Sequence, residues 1–230
     1  MKNELLKRIL SSLAILPITI FFIIKGSIFF SFFLVIFFIA TSYEWININK
    51  KIMIKISGVL FLSLSSYSAY LLRENGLSGG INIFLFVFII CIFTDVGGYT
   101  FGKFFKGPKL TKISPNKTIS GSLGSFCFSI IPLLVFYNID SSEYLLSTNN
   151  FLMCLLTSLA CQLGDLFISY QKRKAKIKNT GKLLPGHGGM LDRIDGIIFS
   201  IPFIFIIYVI GFTDFFETYK DAILYAIKSQ

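Results

Sequence analysis

The stretch SIFFSFFLVIFFIAT, from Ser27 to Thr41, runs for fifteen residues without a charge. Runs like it recur along the chain and decide what it can fold into. A helix crossing a bilayer needs about 20 mostly apolar residues. Seven candidate spans meet that pattern, at roughly 9–24, 27–43, 53–72, 79–101, 121–138, 150–170 and 195–213. Charged residues make up only 15% of the chain, against about 25% in a soluble domain. The expectation is an all-α, polytopic integral membrane protein. It should have about seven transmembrane helices (range six to nine) and two functional cytoplasmic loops.

The first two candidates are separated only by Lys25-Gly26 and read as a tight hairpin. The start, MKNELLKRIL, is basic and then apolar, like a signal peptide. No small-x-small cleavage site follows Pro17, so an uncleaved first span is expected. No repeat or long linker divides the chain. Residues 1–230 therefore read as one membrane domain. Within it, 1–93 are N-terminal spans, 94–200 the chemically active region, and 201–230 the last span and tail.

Charge placement orients the spans. With the N-terminus in the cytoplasm, the cytoplasmic segments are 1–8, 44–55, 102–120 and 171–194. They hold 18 of the 22 Lys and Arg residues. That is the asymmetry of the positive-inside rule, and it accounts for much of the +10 net charge. The expected location is the cell inner (plasma) membrane, with both functional loops facing the cytoplasm. Cys91, Cys127, Cys154 and Cys161 lie in apolar stretches without CxxC spacing, so they read as buried small hydrophobes.

Chemistry concentrates in two loops. Loop 102–120 holds five lysines and no acid. Loop 171–194 holds seven positive charges against one aspartate. A carboxylate within an apolar span is costly and marks a partner or a wet cavity, which singles out Asp95 and Asp165. Asp192 and Asp195 are three residues apart and share a face on a helix. Capping alone explains one of them; a pair suits a hard cation such as Mg²⁺. Gly186, Gly188 and Gly189 allow close backbone approach to an anion, or simply a tight turn. His187, the single histidine, could meet a phosphate or act as acid or base.

Several motifs are excluded. GKLLPGHG lacks the Gly-Lys of a P-loop and follows no strand. Asp195-Gly196-Ile197-Ile198-Phe199 begins like the CDP-alcohol phosphotransferase motif but lacks its Ala-Arg.

Residues 169–193 carry Ser169, Lys172-Arg173, Lys178-Asn179, Gly181, Pro185, His187-Gly188-Gly189 and Asp192-Arg193, with Asp195 after them. This resembles the signature of the phosphatidate cytidylyltransferases in residue type and spacing. Upstream, Gly164-Asp165, the Ser114-Pro115-Asn116-Lys117-Thr118 block with Gly121, and Asp95 near Gly97 and Gly98 look like the same family's segments. Three positions depart from the pattern. Asn179 stands for the family's Asp, Gln171 for an apolar residue, and Ile119 for a Trp.

The resemblance implies cytidylyl transfer from CTP to phosphatidic acid, giving CDP-diacylglycerol and pyrophosphate in phospholipid biosynthesis. It implies Mg²⁺, with a second cation left open, held by Asp165, Asp192 and Asp195. Catalytic roles fall to Asp165, His187, Asp192, Arg193 and Asp195. Substrate binding falls to Ser114, Lys117, Lys172, Arg173, Lys178, Gly186, Gly188 and Gly189. The partners expected are CTP, phosphatidic acid and membrane lipids, with no nucleic acid and a homodimer left open. The rival readings are a CTP-dependent polyprenol or phytol kinase and, further off, an ion or solute transporter.

Overall fold

The computed structural model describes residues 17–74, 80–111, 113–140, 147–183 and 188–209. Among them the regular elements are helices, joined by loops, one of which carries an isolated bridge between Lys109 and Thr118. The helices are α1 (17–25), α2 (Ser27–Ile48), α3 (Ile52–Glu74), α4 (Gly80–Phe105), α5 (Ile119–Ser129), α6 (Ile131–Asp140), α7 (Thr148–Lys174), α8 (Leu191–Ile194) and α9 (Ile197–Val209).

Four helices, α2, α3, α4 and α7, are long and apolar enough to cross a membrane. Their outward faces are greasy: Ile28, Phe32, Ile39 and Leu60 are each more than 60% exposed. Water would not tolerate so many apolar side chains together, whereas lipid does. The remaining candidate spans are shorter apolar helices. The fifth splits into α5 and α6 around Ile130, because Pro132 has no N–H to continue the helical ladder. The seventh has thirteen described residues in α9. The first is described only from residue 17.

The Lys25-Gly26 hairpin forms as expected. Gly26 adopts φ +62°, a conformation that L side chains rarely take. Phe22 then stacks on Phe33 at 5.2 Å across the turn. The end of α3 closes this hairpin. Arg73 donates from Nε to the Ile23 carbonyl (2.7 Å) and from Nη2 to the Ile24 carbonyl (3.1 Å). Glu74 accepts from the Ser27 N–H at 2.6 Å. One arginine and one glutamate thus satisfy backbone groups that two adjoining helix ends leave over.

The core has two parts. One cluster, around Phe30, Leu72, Phe86, Ile90, Met153 and Ile204, fills the middle of the bundle. The other, with Trp45, Ile48, Leu62, Ile168, Leu191 and Ile198, lies where α8 docks on α2, α3 and α7. Cys91, Cys154 and Cys161 are buried as expected; Cys127 is exposed instead, since it lies on an outward face of α5.

The most extensive helix contact is between α4 and α5. A Cβ on Gly124 would sit 2.7 Å from the Gly97 carbonyl oxygen, so the two backbones meet at bare glycines. That approach brings Asp95, on α4, next to the loop that leads into α5.

Candidate active site

Loop 106–118 is a small folded unit. The Lys117 N–H donates to the Ser114 carbonyl at 3.0 Å, closing a turn with Pro115 and Asn116 at its centre. The Leu110 N–H donates to the Lys117 carbonyl at 2.8 Å. Thr118 then caps α5 by accepting from the Gly121 N–H at 3.1 Å. The turn aims Lys117 at α7, where its ammonium pairs with the Asp165 carboxylate.

Behind this pair lies a polar cleft of about 330 Å³. Its lining includes Asp95, Ser114, Asn116, Lys117, Gln162 and Asp165. Gln162 holds Ser122 of α5 at 2.5 Å. A second cavity, of about 260 Å³, is apolar. Phe33, Phe37, Leu62, Phe84 and Ile201 contribute to its wall, and Asp95 and Arg193 lie at its polar end. The two cavities share Asp95.

The aspartates divide into two groups. Asp95, Asp165 and Asp195 lie close enough for their charges to act on one another, and Lys117, Lys172 and Arg193 temper that repulsion. Asp192 turns elsewhere. Its Oδ1 accepts from Lys172 Nζ at 2.8 Å. Its Oδ2 accepts from the N–H groups of Thr180 (2.8 Å) and Gly189 (3.0 Å). Burial works against ionisation of this carboxyl. The Lys172 ammonium and the two backbone donors outweigh burial and hold it below the usual carboxylate range.

Glu44 is the residue that sequence reasoning passed over. It lies near the end of α2 and is 1% exposed. Its Oε1 accepts from the Met190 N–H at 2.8 Å. Its Oε2 accepts from Thr180 Oγ1 at 2.8 Å and from the Leu191 N–H at 2.9 Å. The available signal was an acid in Tyr43-Glu44-Trp45, directly after a charge-free apolar run.

This arrangement changes the reading of the glycines. Gly188 has φ +89°, and a Cβ there would lie 2.9 Å from Asp192 Oδ2. A Cβ on Gly189 would enter the space of the Thr180 hydroxyl and the Glu44 carboxyl. Of the glycine N–H groups expected to cradle an outside anion, that of Gly189 is held by the protein's own Asp192, and Glu44 takes the next two N–H groups, of Met190 and Leu191.

The other expected residues fall as follows. Ser114 and Lys117 line the polar cleft, and Arg193 lines the apolar cavity. Arg173 reaches the first loop, donating from Nε to the Ile113 carbonyl at 3.4 Å. Lys178 is exposed. Asp195 Oδ1 accepts from the Gly196 N–H at 3.0 Å. Gly186 and His187 lie outside the described residues. No group of three or more metal-ligating side chains is assembled among the described residues.

Residues 59–211 match the model of the cytidylyltransferase family. The chain belongs to that family. Among its relatives, the phosphatidate cytidylyltransferase of Staphylococcus aureus (strain COL) is 42% identical over 137 residues, 57% of this chain and 51% of that protein. The one from Staphylococcus haemolyticus is 39% identical over 137 residues, with the same shares covered. The one from Rickettsia bellii is 33% identical over 215 residues, 90% of this chain and 91% of that protein. The chain spans about half the length of the staphylococcal relatives it matches. Both loops and the two cavities' polar ends fall inside the family match; Glu44 lies before it.

Proposed function

We propose that the protein transfers a cytidylyl group from CTP to phosphatidic acid, releasing pyrophosphate. The observation that carries this reading is the meeting of a polar cleft and an apolar cavity at Asp95. A water-soluble nucleotide and a membrane lipid need such different surroundings within bonding reach of each other. Lys117, Ser114 and Asn116 suit a triphosphate. The apolar cavity suits an acyl chain, with Arg193 placed for the lipid phosphate. The names and matches of the relatives support the same substrates.

In this reading an oxygen of the lipid phosphate attacks the α-phosphorus of CTP. The bond from the α-phosphorus to the bridging oxygen breaks, and pyrophosphate leaves with the electron pair. The lipid phosphate is already ionised near neutral pH, so no strong base is required. Lys117 and Arg193 offset the repulsion between two anions and the charge that builds on the leaving group.

Mg²⁺ fits the donor set. It binds through one or two carboxylates and completes its shell with water and phosphate oxygens. Asp165 and Asp195 would hold it, and Asp95 adds negative charge nearby. Asp165 carries one partner on each oxygen, Ser169 on Oδ1 and Lys117 on Oδ2, which would give way to the ion. Asp192 is left out because it stands apart from the charges of Asp95, Asp165 and Asp195, and its Oδ2 is held by two N–H groups of the loop backbone. When bound, the metal would stabilise charge on the phosphates.

The end that carries both basic loops would face the cytoplasm, where CTP is. The reading is tested with purified protein, CTP, Mg²⁺ and phosphatidic acid vesicles. Pyrophosphate and CDP-diacylglycerol are the expected products. Release of CDP with a prenol acceptor would replace this reading with a kinase, and no turnover with either acceptor would remove both.

A further inference from the structure

We propose that Glu44 is a positioning residue: it fixes the Met190–Arg193 turn at the polar end of the apolar cavity. This rests on the lipid reading of that cavity.

The argument starts from burial. A carboxyl group taken out of water needs partners on both oxygens. Glu44 has three, and all come from the segment around the 188–191 turn: Thr180 Oγ1, Met190 N–H and Leu191 N–H. These two backbone N–H groups have no acceptor within so short a helix as α8, so Glu44 supplies one. Thr180 joins the two carboxyls, giving its hydroxyl to Glu44 and its N–H to Asp192. The shape of the turn depends on the same group. Gly181 and Gly189 both lack room for a Cβ because the Glu44 side chain fills that space.

What the clamp holds in place is also clear. Met190 and Arg193 line the apolar cavity, while neither they nor Glu44 line the polar cleft. Loosening the clamp should therefore degrade use of the lipid and spare the nucleotide. A change that merely unsettled the fold would harm both.

The test uses full-length protein in lipid nanodiscs, with Glu44→Gln, Glu44→Ala, Thr180→Val and Gly189→Ala. Gln keeps the side-chain volume but can no longer accept on both ends. Displacements of about 1 Å can cost about 10²-fold in rate. The expected result is a loss of at least about tenfold in kcat/KM for phosphatidic acid in Glu44→Gln, with less than about twofold change in the KM for CTP. Thr180→Val should shift the same ratio by less. Gly189→Ala should resemble Glu44→Ala, and the double variant should be no worse than the worse single one. Unchanged lipid kinetics in Glu44→Gln, or equal losses for lipid and CTP, would overturn the proposal. If Glu44→Ala does not fold, Glu44→Gln and Thr180→Val decide. If the wild type turns over no CTP with phosphatidic acid, the proposed function falls by itself. The clamp is then read by hydrogen exchange at the Met190 and Leu191 amides, which should speed up in Glu44→Gln; unchanged exchange refutes it.

Discussion

Lys172 Nζ and Asp192 Oδ1 meet at 2.8 Å, with side chains only 12% and 7% exposed. The pair ties the end of α7 to the turn before α9. Lys172→Met should leave the Asp192 charge poorly compensated and cost about 1–3 kcal/mol. Lys172→Met with Asp192→Asn should recover part of that loss, because Asn still accepts from the backbone while no charge is stranded. Thermal unfolding in detergent checks this; strictly additive losses would show that the pair does not act as a unit.

The same carboxyl sets an acid limit on stability. Its pKa is lowered in the folded protein. Such a group stabilises the fold above its unfolded value, about 3.9, and the contribution is lost as pH falls through the folded value. The apparent Tm should thus be insensitive to this group at neutral pH and decline below about pH 4. Asp192→Asn should flatten that acid limb in a pH series of melts.

Metal dependence should separate the aspartates. Asp165→Asn and Asp195→Asn should raise the Mg²⁺ needed for half-maximal CTP turnover by at least about tenfold. Asp192→Asn should lower turnover with little change in that Mg²⁺ requirement, since its oxygens serve Lys172 and the loop backbone. A Mg²⁺ titration of the three variants distinguishes these outcomes. An Asp192→Asn variant with the largest Mg²⁺ shift would return Asp192 to the metal.

The apolar cavity can be narrowed from α3. Ser66 is half-buried in its wall. Ser66→Phe should raise the KM for long-chain phosphatidic acid by about 15-fold, as burying two fewer methylene groups would. A short-chain lipid and CTP should be affected much less. Equal effects on all three substrates would mean that the acyl chain lies elsewhere.

Helix contact between α4 and α5 should tolerate no added carbon. Gly124→Ala would press on the Gly97 carbonyl at 2.7 Å and on Phe101. Overpacking of this kind costs about 1–3 kcal/mol. The helices should part, lowering the apparent Tm and weakening CTP binding in the adjoining cleft. Melts and CTP titration on the same sample test both effects.

By itself, the sequence determined the class of fold and the surroundings of the site. Apolar runs at bilayer length leave the backbone little choice but helix, so α2, α3, α4 and α7 were legible from hydropathy alone. The Lys25-Gly26 turn was legible because glycine takes a positive φ easily. The two loops announced themselves by charge. Tertiary structure decided which groups meet. Asp192 and Asp195 share a helical spacing, yet one turns to Lys172 and Thr180 while the other lies within reach of the charges of Asp165 and Asp95. Spacing places residues on a face; it does not say what stands opposite. Glu44 makes the same point from afar. Its partners are 136 to 147 residues away in sequence, so no local pattern could join them. Only the packing of α2 beside the 188–191 turn brings that carboxyl to the N–H groups that complete it.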